Sequence, residues 1–203
     1  MRKINKGEPM PSFSEFVKMH HPAKWSDAKD VIRTWRDYIL EYEQSGLSGY
    51  TEEALHLDKT HIDHFRKQSL FNTLVFDWNN LVVDSVDETY GAKYKDKIVN
   101  TKTDNEKLIN PVTEDASNFF KYELNGNITV ADGLSSKDSE RAYYTIGAFN
   151  LNEASLSERR RIIINTILDS YTDLSDDLIL DALEAEGFKS VVEQLLAERK
   201  EIK

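Results

Sequence analysis

The sequence contains no cysteine, and it has only four prolines and eight glycines among 203 residues. Without cysteine the chain can form neither disulfides nor thiolate metal sites, and this fits a cytoplasmic protein. No run of residues approaches the roughly 20 apolar positions that a membrane-spanning helix needs. The first residues also lack the apolar stretch of a signal peptide. We therefore expect a cytoplasmic protein that does not enter a membrane.

Basic residues are too few to balance the acidic ones. The chain has 26 Lys and Arg against 36 Asp and Glu, which gives a net charge of −10. Residues 1–100 carry 14 basic and 16 acidic side chains, whereas residues 101–203 carry 12 and 20. Proteins that bind nucleic acid usually show a basic footprint, and a field this negative opposes nonspecific phosphate binding. Any nucleic acid must therefore be held by a local basic groove or by a basic partner.

Hydrophobic spacing predicts helices before and after a short β region. Apolar residues recur at helical intervals over about 13–22 and 26–45. Residues of about 119–124 and 127–131 flank Asn125-Gly126, which predicts a hairpin with a type I′ turn. Another helix is expected to begin at Ser135.

The last quarter of the chain has a purely helical pattern. Ser157 is expected to start one helix, Ser175 to cap the next, and Ser190 to start the last. The length fits one domain, or one domain with an appendage. We expect a domain over 1–155 and a helical appendage over 156–203, which either docks a partner or covers the core.

The most informative motif is His61-Ile62-Asp63-His64, followed sixteen positions later by Asn80. An Asp can hold a hard cation, the adjacent His can take a proton from water, and an Asn further on can fix the loop between them. An Asp-His pair also occurs as a solvated turn or a satisfied surface histidine. The motif therefore indicates a phosphodiesterase site only together with its context.

The context is a series of short motifs that keep their order along the chain. They are Met1-Arg2-Lys3-Ile4, Leu47-Ser48-Gly49-Tyr50-Thr51-Glu52, Ile62-Asp63-His64-Phe65-Arg66, Trp78-Asn79-Asn80-Leu81, Asn110-Pro111, Phe120-Lys121-Tyr122 with Asn125-Gly126-Asn127-Ile128, Thr145-Ile146 with Phe149-Asn150-Leu151-Asn152, and Arg159-Arg160. In this order, over about residues 1–160, the chain resembles the HNH nucleases of Septu anti-phage systems, including those attached to retrons.

The resemblance implies an α+β, mostly helical fold built around a ββα-metal core. It implies His64 as the general base, Asp63 as a ligand of a divalent cation, Mg²⁺ or Mn²⁺, and Asn80 as the brace of the catalytic loop. His61 and Asn79 are expected to be further ligands or supporting residues. For His61 a structural role is favoured, because strand alternation directs it away from the face of His64.

Four basic side chains near the motif are candidates for holding substrate phosphate. Arg66 and Lys67 follow the expected base directly, and Lys93 and Lys95 lie on the expected helix after the second strand. Charge-assisted hydrogen bonds from such groups to phosphate are strong. A solvated turn is the alternative for Arg66 and Lys67.

The chain departs from the family at the positions of a structural zinc. Relatives carry two cysteine pairs there, where this chain has Ser48 and Thr51 and, by our alignment, Ser85 and Tyr90. Hydroxyl groups are poor zinc ligands, so the structural zinc is expected to be absent. The third residue of the HNH signature is also missing from residues 90–95. Either water replaces protein ligands of the catalytic metal, or the site is degenerate.

The resemblance also implies partners. In Septu systems the nuclease works with an ABC-type ATPase, and retron versions add a reverse transcriptase and its RNA–DNA product. The sequence therefore predicts a metal-dependent HNH endonuclease acting on DNA or RNA within such a complex. A catalytically degenerate subunit with an assembly or regulatory role is the alternative.

Overall fold

The structure, a computed structural model, describes residues 1–201 and confirms an α+β, mostly helical fold. The helices are α1 (Pro11–His20), α2 (Ile32–Tyr38), α3 (Gly91–Ile98), α4 (Lys102–Lys107), α5 (Ser136–Ala148), α6 (Ala154–Asn165), α7 (Asp176–Leu183) and α8 (Lys189–Glu201). The strands are β1 (Thr60–His64), β2 (Leu81–Ser85), β3 (Phe120–Tyr122) and β4 (Ile128–Val130). Within the described residues, no helix combines the length and the apolar character needed to cross a membrane.

The helix predicted over 26–45 is divided into two parts. A 3₁₀ turn over Trp25–Ala28 precedes α2, which continues as a π-helical turn over Ile39–Glu43. The Asp27 carboxylate accepts hydrogen bonds from the backbone amides of Ala23 and Lys24. This local cap closes a separate turn, which spacing of apolar residues alone does not reveal. The division matters because it directs Trp25 toward β1.

Strands β1 and β2 form an antiparallel pair in which His64 lies opposite Leu81 and Thr60 opposite Ser85. The loop from Phe65 to Asn80 joins the two strands, and α3 follows and packs against β2. The chain therefore has the order strand, strand, helix around the motif that carries His64.

The second hairpin, β3–β4, forms where the sequence predicts it, but its turn differs from the prediction. A type I′ turn needs positive φ at both central residues, and of the loop residues only Gly126 has it, at 83°. The amide of Gly126 donates to the carbonyl of Glu123, and the amide of Glu123 donates to the carbonyl of Asn127. This is a type I turn followed by a glycine bulge, which a three-residue loop favours.

The later helices begin close to the predicted positions, with a shift of three residues for α6 and of one residue for α8, which begins at Lys189 and not at Ser190. The Ser135 and Ser175 side chains accept amide hydrogen bonds at the starts of α5 and α7, as predicted. Helix α6 begins at Ala154, three residues before the predicted start at Ser157, because the Glu153 carboxylate caps it. Glutamate is an uncommon cap, so the pattern pointed to a serine instead.

Residues 156–203 pack directly on the rest of the chain, as far as they are described. Their hydrophobic cluster includes Tyr90, from the segment before α3. The backbone amide of Phe188 donates to the Glu52 carbonyl at 2.7 Å, and Gln194 exchanges two hydrogen bonds with the Tyr122 backbone. Removing α7 and α8 would therefore have two effects. It would delete the surface expected to dock a partner, and it would also expose apolar surface of the first 160 residues.

Substitution of Gly187 tests this junction, and Gly133, which has nearly the same φ, serves as the control. Gly187 and Gly133 have φ of 77° and 78°, but a Cβ at 187 would lie 2.5 Å from the Glu52 carbonyl oxygen, whereas one at 133 meets nothing within 4 Å. We expect Gly133→Ala to lower the free energy of unfolding by about 1 kcal/mol, the cost of a left-handed alanine. Gly187→Ala should lower it by clearly more, because its ψ of −152° lies in a region that is essentially restricted to glycine and because its Cβ would meet the Glu52 carbonyl. Urea denaturation measures both. Equal losses would show that the chain at Gly187 relaxes away from both constraints.

Candidate active site

Alternation along β1 places the motif residues on two faces. Ile62 and His64 face the aromatic cluster of α1 and α2, where the Trp25 ring meets the His64 ring edge-on with 4.6 Å between centroids. Asp63 faces the central core, where the Tyr50 hydroxyl donates to it. His61 shares the face of Asp63, as the alternation predicts.

His64 is held in one tautomer by two hydrogen bonds. Its Nε2 lies 2.9 Å from the Val75 carbonyl oxygen, and its Nδ1 lies 3.0 Å from the Gln68 amide nitrogen. Because a carbonyl can only accept, Nε2 carries the proton, and the lone pair of Nδ1 accepts from the Gln68 amide. Burial lowers the pKa of His64 below its ordinary 6.5. The side chain is therefore a neutral imidazole whose basic nitrogen is directed at Gln68.

Asn80 ties together the loop that carries these partners. Its Oδ1 accepts from the Arg66 amide at 2.6 Å, and its Nδ2 donates to the carbonyls of Arg66 and Leu74. The side chain is almost fully buried, so these bonds are shielded from water. This is the geometry that a brace requires. Asn79, in contrast, is exposed in the preceding turn and does not line the cleft beside His64, so its position does not fit a supporting role.

Asp63 and Lys95 form a buried ion pair. Oδ2 of Asp63 accepts from the Tyr50 hydroxyl and from the Lys95 ammonium, each at 2.6 Å, and Lys95 also donates to the His64 carbonyl. Burial alone would raise the pKa of Asp63, but the lysine charge and these hydrogen bonds hold it below its ordinary value. Lys95 is fully buried, so its predicted role in binding phosphate does not fit this arrangement.

The residues around Asp63 do not fit the divalent cation that the resemblance implies. Over residues 1–201, no three His, Asp or Glu side chains converge as a metal site. A cation at Asp63 would meet the Lys95 ammonium, which already neutralises the carboxylate. Nδ1 of His61 is buried without a hydrogen-bond partner on the same face of β1, and one imidazole and a paired carboxylate are a poor ligand set for Mg²⁺.

A cleft of about 360 Å³ opens beside His64. Its lining residues include His61, His64, Gln68, Lys67 and Lys93. The Lys67 ammonium donates to the carbonyls of Asp96 and Val99 and to Asn100 Oδ1, so its three hydrogens all have acceptors within the protein. Lys93 is exposed, and the acid Asp96 also lines the cleft. The Arg66 guanidinium turns away to the Asn105 side chain at 2.9 Å. Of the four predicted phosphate ligands, Lys93 is free to donate to a phosphate, and Lys67 contributes its charge at the edge of the cleft.

Hydrogen bonds close the region around Ser48 and Thr51, where the resemblance to HNH nucleases would place a structural zinc. The Ser48 hydroxyl accepts from the amides of Tyr50 and Thr51 and donates to Asp84 Oδ1 at 2.5 Å, while the Ala92 amide donates to Asp84 Oδ2 at 2.6 Å. Ser48, Asp84 and the Ala92 amide together form the Asp84 cluster. Ser85, our aligned position, instead accepts from the Asp87 amide.

Sequence reasoning missed Asp84, although one signal pointed to it. It is the acidic residue that directly follows the apolar run Leu81-Val82-Val83, and a strand buried on both faces places such a residue in the core. The Tyr90 hydroxyl lies close by, donating to Glu53 at 3.0 Å, and Arg159 pairs with the same carboxylate. Polar contacts thus accompany the apolar packing around the cluster.

Comparison with known proteins adds no relative to this picture. No model of a protein family matches the chain, and no curated protein matches it. The resemblance to HNH nucleases therefore rests on the order of the sequence motifs alone. The strand–strand–helix order and the contacts of His64 and Asn80 are separate observations made on the structure.

Asp84 makes stability depend on pH. Burial raises its pKa from 3.8 to about 7, so between these values the folded chain holds a proton that the unfolded chain has lost. The stabilisation that this proton gives to the folded chain is complete below pH 3.8 and is lost as pH rises through about 7. We expect the free energy of unfolding of the native chain, relative to that of Asp84→Asn, to fall by roughly 1.4 kcal/mol per pH unit from pH 5 to about 7 and then to level off, as measured by urea denaturation. Asp30→Asn, at an exposed position, is the control. Parallel pH profiles would contradict the assignment.

The Asp63–Lys95 pair makes a prediction about metal binding. Lys95→Ala frees the carboxylate of Asp63 beside His61, so we expect this variant to bind Mn²⁺ and Asp63→Asn/Lys95→Ala to lose that binding. Electron paramagnetic resonance of free Mn²⁺ measures the uptake, with circular dichroism to check folding. The native chain is compared with Asp63→Asn in the same titration. Uptake of about one Mn²⁺ per native chain that depends on Asp63 would show that a cation displaces Lys95.

Proposed function

We propose that this chain is an HNH endonuclease that hydrolyses phosphodiester bonds of nucleic acid as the effector of an anti-phage defence complex with an ABC-type ATPase. The observation that carries the proposal is His64: a neutral imidazole, fixed in one tautomer, at the edge of a cleft lined by Lys67 and Lys93. The loop bracing by Asn80 and the strand–strand–helix order support it.

The geometry suggests how the proton moves. Nδ1 of His64 takes a proton from water as the water oxygen attacks phosphorus. The phosphorus–oxygen bond to the leaving strand breaks, and the leaving oxygen takes a proton from solvent. The bond from Nε2 to the Val75 carbonyl keeps the tautomer correct and stabilises the imidazolium that forms. The Gln68 amide occupies the place from which the water would donate, and its side chain is only half-buried. The ammonium groups of Lys67 and Lys93 stabilise charge on the phosphate.

The partners are proposed from the resemblance. The ABC-type ATPase would supply ATP-driven control, and retron versions would add a reverse transcriptase and its RNA–DNA product. The acidic charge of residues 101–203 supports docking on a basic partner surface. On α7 the Leu178 side chain is 55% exposed between the acidic residues Asp177 and Asp181. Charge reversal at these acids tests docking better than a deletion, because α7 and α8 also cover the core.

A second function, an assembly or regulatory subunit with an inactive HNH fold, is favoured by one observation. The carboxylate expected to bind the catalytic cation is neutralised by Lys95. A nuclease that stabilises the transition state with lysines alone would be slower than one with a metal ion. Activity of His64 variants distinguishes the two functions.

His64 and Gln68 give a matched set of variants. His64→Ala removes the base, so we expect cleavage to fall by at least about 100-fold. Gln68→Ala should retain activity, because water can take the place of the amide. Gln68→Glu should lose it, since a carboxylate at Nδ1 raises the pKa of His64 and favours the protonated ring. Cleavage of end-labelled DNA and RNA is measured from pH 5 to 8, where the native rate should rise through the lowered pKa of His64 and level off.

The same variants are tested for assembly. Each should still copurify with the partner subunit, since His64 lies in the cleft and the proposed docking acids lie on α7. Full cleavage and full defence in cells by His64→Ala would remove the nuclease proposal. Defence that persists without detectable cleavage would favour the regulatory function.

A further inference from the structure

A second, larger groove of about 1020 Å³ lies beside the cleft of His64. The 3₁₀ turn and α2 line it on one side, and residues 55–62 line it on the other. Trp25, His61 and Ile62 line both the groove and the cleft. The two depressions are therefore continuous, and Trp25 stands where they join.

The groove is basic in a chain that is acidic overall. Its charged lining residues are Lys29, Arg33, Arg36 and a single acid, Asp58. The Arg36 guanidinium donates a hydrogen bond to the Asp37 carboxylate, with 2.7 Å between Nη2 and Oδ1. Arg33 reaches the same carboxylate only at 3.9 Å, and its side chain is 84% exposed. Lys29 is exposed as well. Two cations are thus presented to solvent. Past Trp25 the cleft adds Lys67 and Lys93, together with one exposed acid, Asp96.

Trp25 supplies an aromatic surface on this basic path. The ring is half-buried and lines both depressions. Its contact with His64 is edge-on, at 90° between the ring planes, and Phe76 supports it at 5.4 Å between centroids. A supported aromatic ring between cations is the arrangement with which proteins bind single-stranded nucleic acid, because bases stack on the ring while phosphates contact the cations.

We propose that this groove binds a single-stranded segment of nucleic acid that flanks the bond to be cleaved, with Lys29 and Arg33 on its phosphates and a base stacked on Trp25. The inference rests on the proposed function for the role of the cleft. A single strand fits better than a duplex, since paired bases are already stacked on each other and cannot offer a face to Trp25.

Binding of labelled oligonucleotides tests the groove separately from cleavage. Fluorescence anisotropy is measured with 12-nucleotide single-stranded DNA, RNA of the same sequence and the matching DNA duplex, at about 50 mM salt, where phosphate contacts are strong. All proteins carry His64→Ala, so that the probes stay intact. The DNA and RNA arms identify which strand the groove prefers.

The variant pair Lys29→Gln/Arg33→Gln should weaken single-strand binding by about tenfold or more. It should also reduce the dependence of log Kd on log salt by about 1.4, because each lost phosphate contact contributes roughly 0.7 for a single strand. The control is Lys137→Gln/Lys189→Gln, which removes the same charge from exposed positions on α5 and α8. It should change Kd by less than about twofold, because neither lysine lines the groove or the cleft.

Trp25 is tested by two substitutions of graded effect. Trp25→Leu should weaken binding by roughly tenfold, since stacking on an aromatic ring is lost, whereas Trp25→Phe should keep most of the affinity. Circular dichroism checks that each variant is folded.

The proposal is overturned if the Lys29/Arg33 variant binds like the Lys137/Lys189 control, or if the duplex binds more tightly than the single strand. Failure of the proposed function gives a different result. In that case the groove variants lose binding as expected, but the chain with native His64 cleaves none of the probes. Cleavage that depends on His64 but not on Lys29 and Arg33 would overturn the groove alone.

Discussion

The buried carboxylate of Glu52 is the interaction on which the assembly of the fold depends. It is 1% exposed and accepts from the Met1 amine at 2.7 Å, the Tyr122 hydroxyl at 3.1 Å and the Ser190 amide at 2.9 Å. Burial would raise the pKa of Glu52, but the Met1 charge holds it below its ordinary value. Because an unpaired buried carboxylate is strongly destabilising, Met1, β3 and the start of α8 must meet at this point together.

The same requirement is met in other ways at two further buried acids. Lys95 neutralises Asp63, and the raised pKa of Asp84 allows a proton to neutralise it. Each solution connects α3 to the β1–β2 pair, through the Lys95 side chain in one case and the Ala92 amide in the other. The position of α3 relative to His64 is therefore set by charge compensation as well as by apolar packing. These compensated charges help to fix the position of the His64 imidazole relative to its two hydrogen-bond partners, the Val75 carbonyl and the Gln68 amide.

Patterns that depend on neighbouring residues could be predicted from the sequence. The caps at Ser135 and Ser175, the site of the β3–β4 hairpin and the alternation of His61 and His64 belong to this group. Features that depend on distant partners could not. Lys95 has the spacing of an exposed helical residue, and only the fold brings it to Asp63, 32 positions earlier. For the turn at Gly126 the position could be predicted but the type could not, because Asn125-Gly126 alone does not show the length of the loop.

The Asp84 cluster determines what the segment around Ser48 requires in order to fold. A knuckle closed by a thiolate-bound ion forms only when that ion has been captured, so its yield follows the supply of metal. The hydroxyl of Ser48, the carboxylate of Asp84 and the amide of Ala92 are all part of the same polypeptide. Formation of these contacts is then a unimolecular event in which no thiol takes part. Its free energy depends on the proton carried by Asp84, so the closed segment becomes less stable as pH rises through about 7.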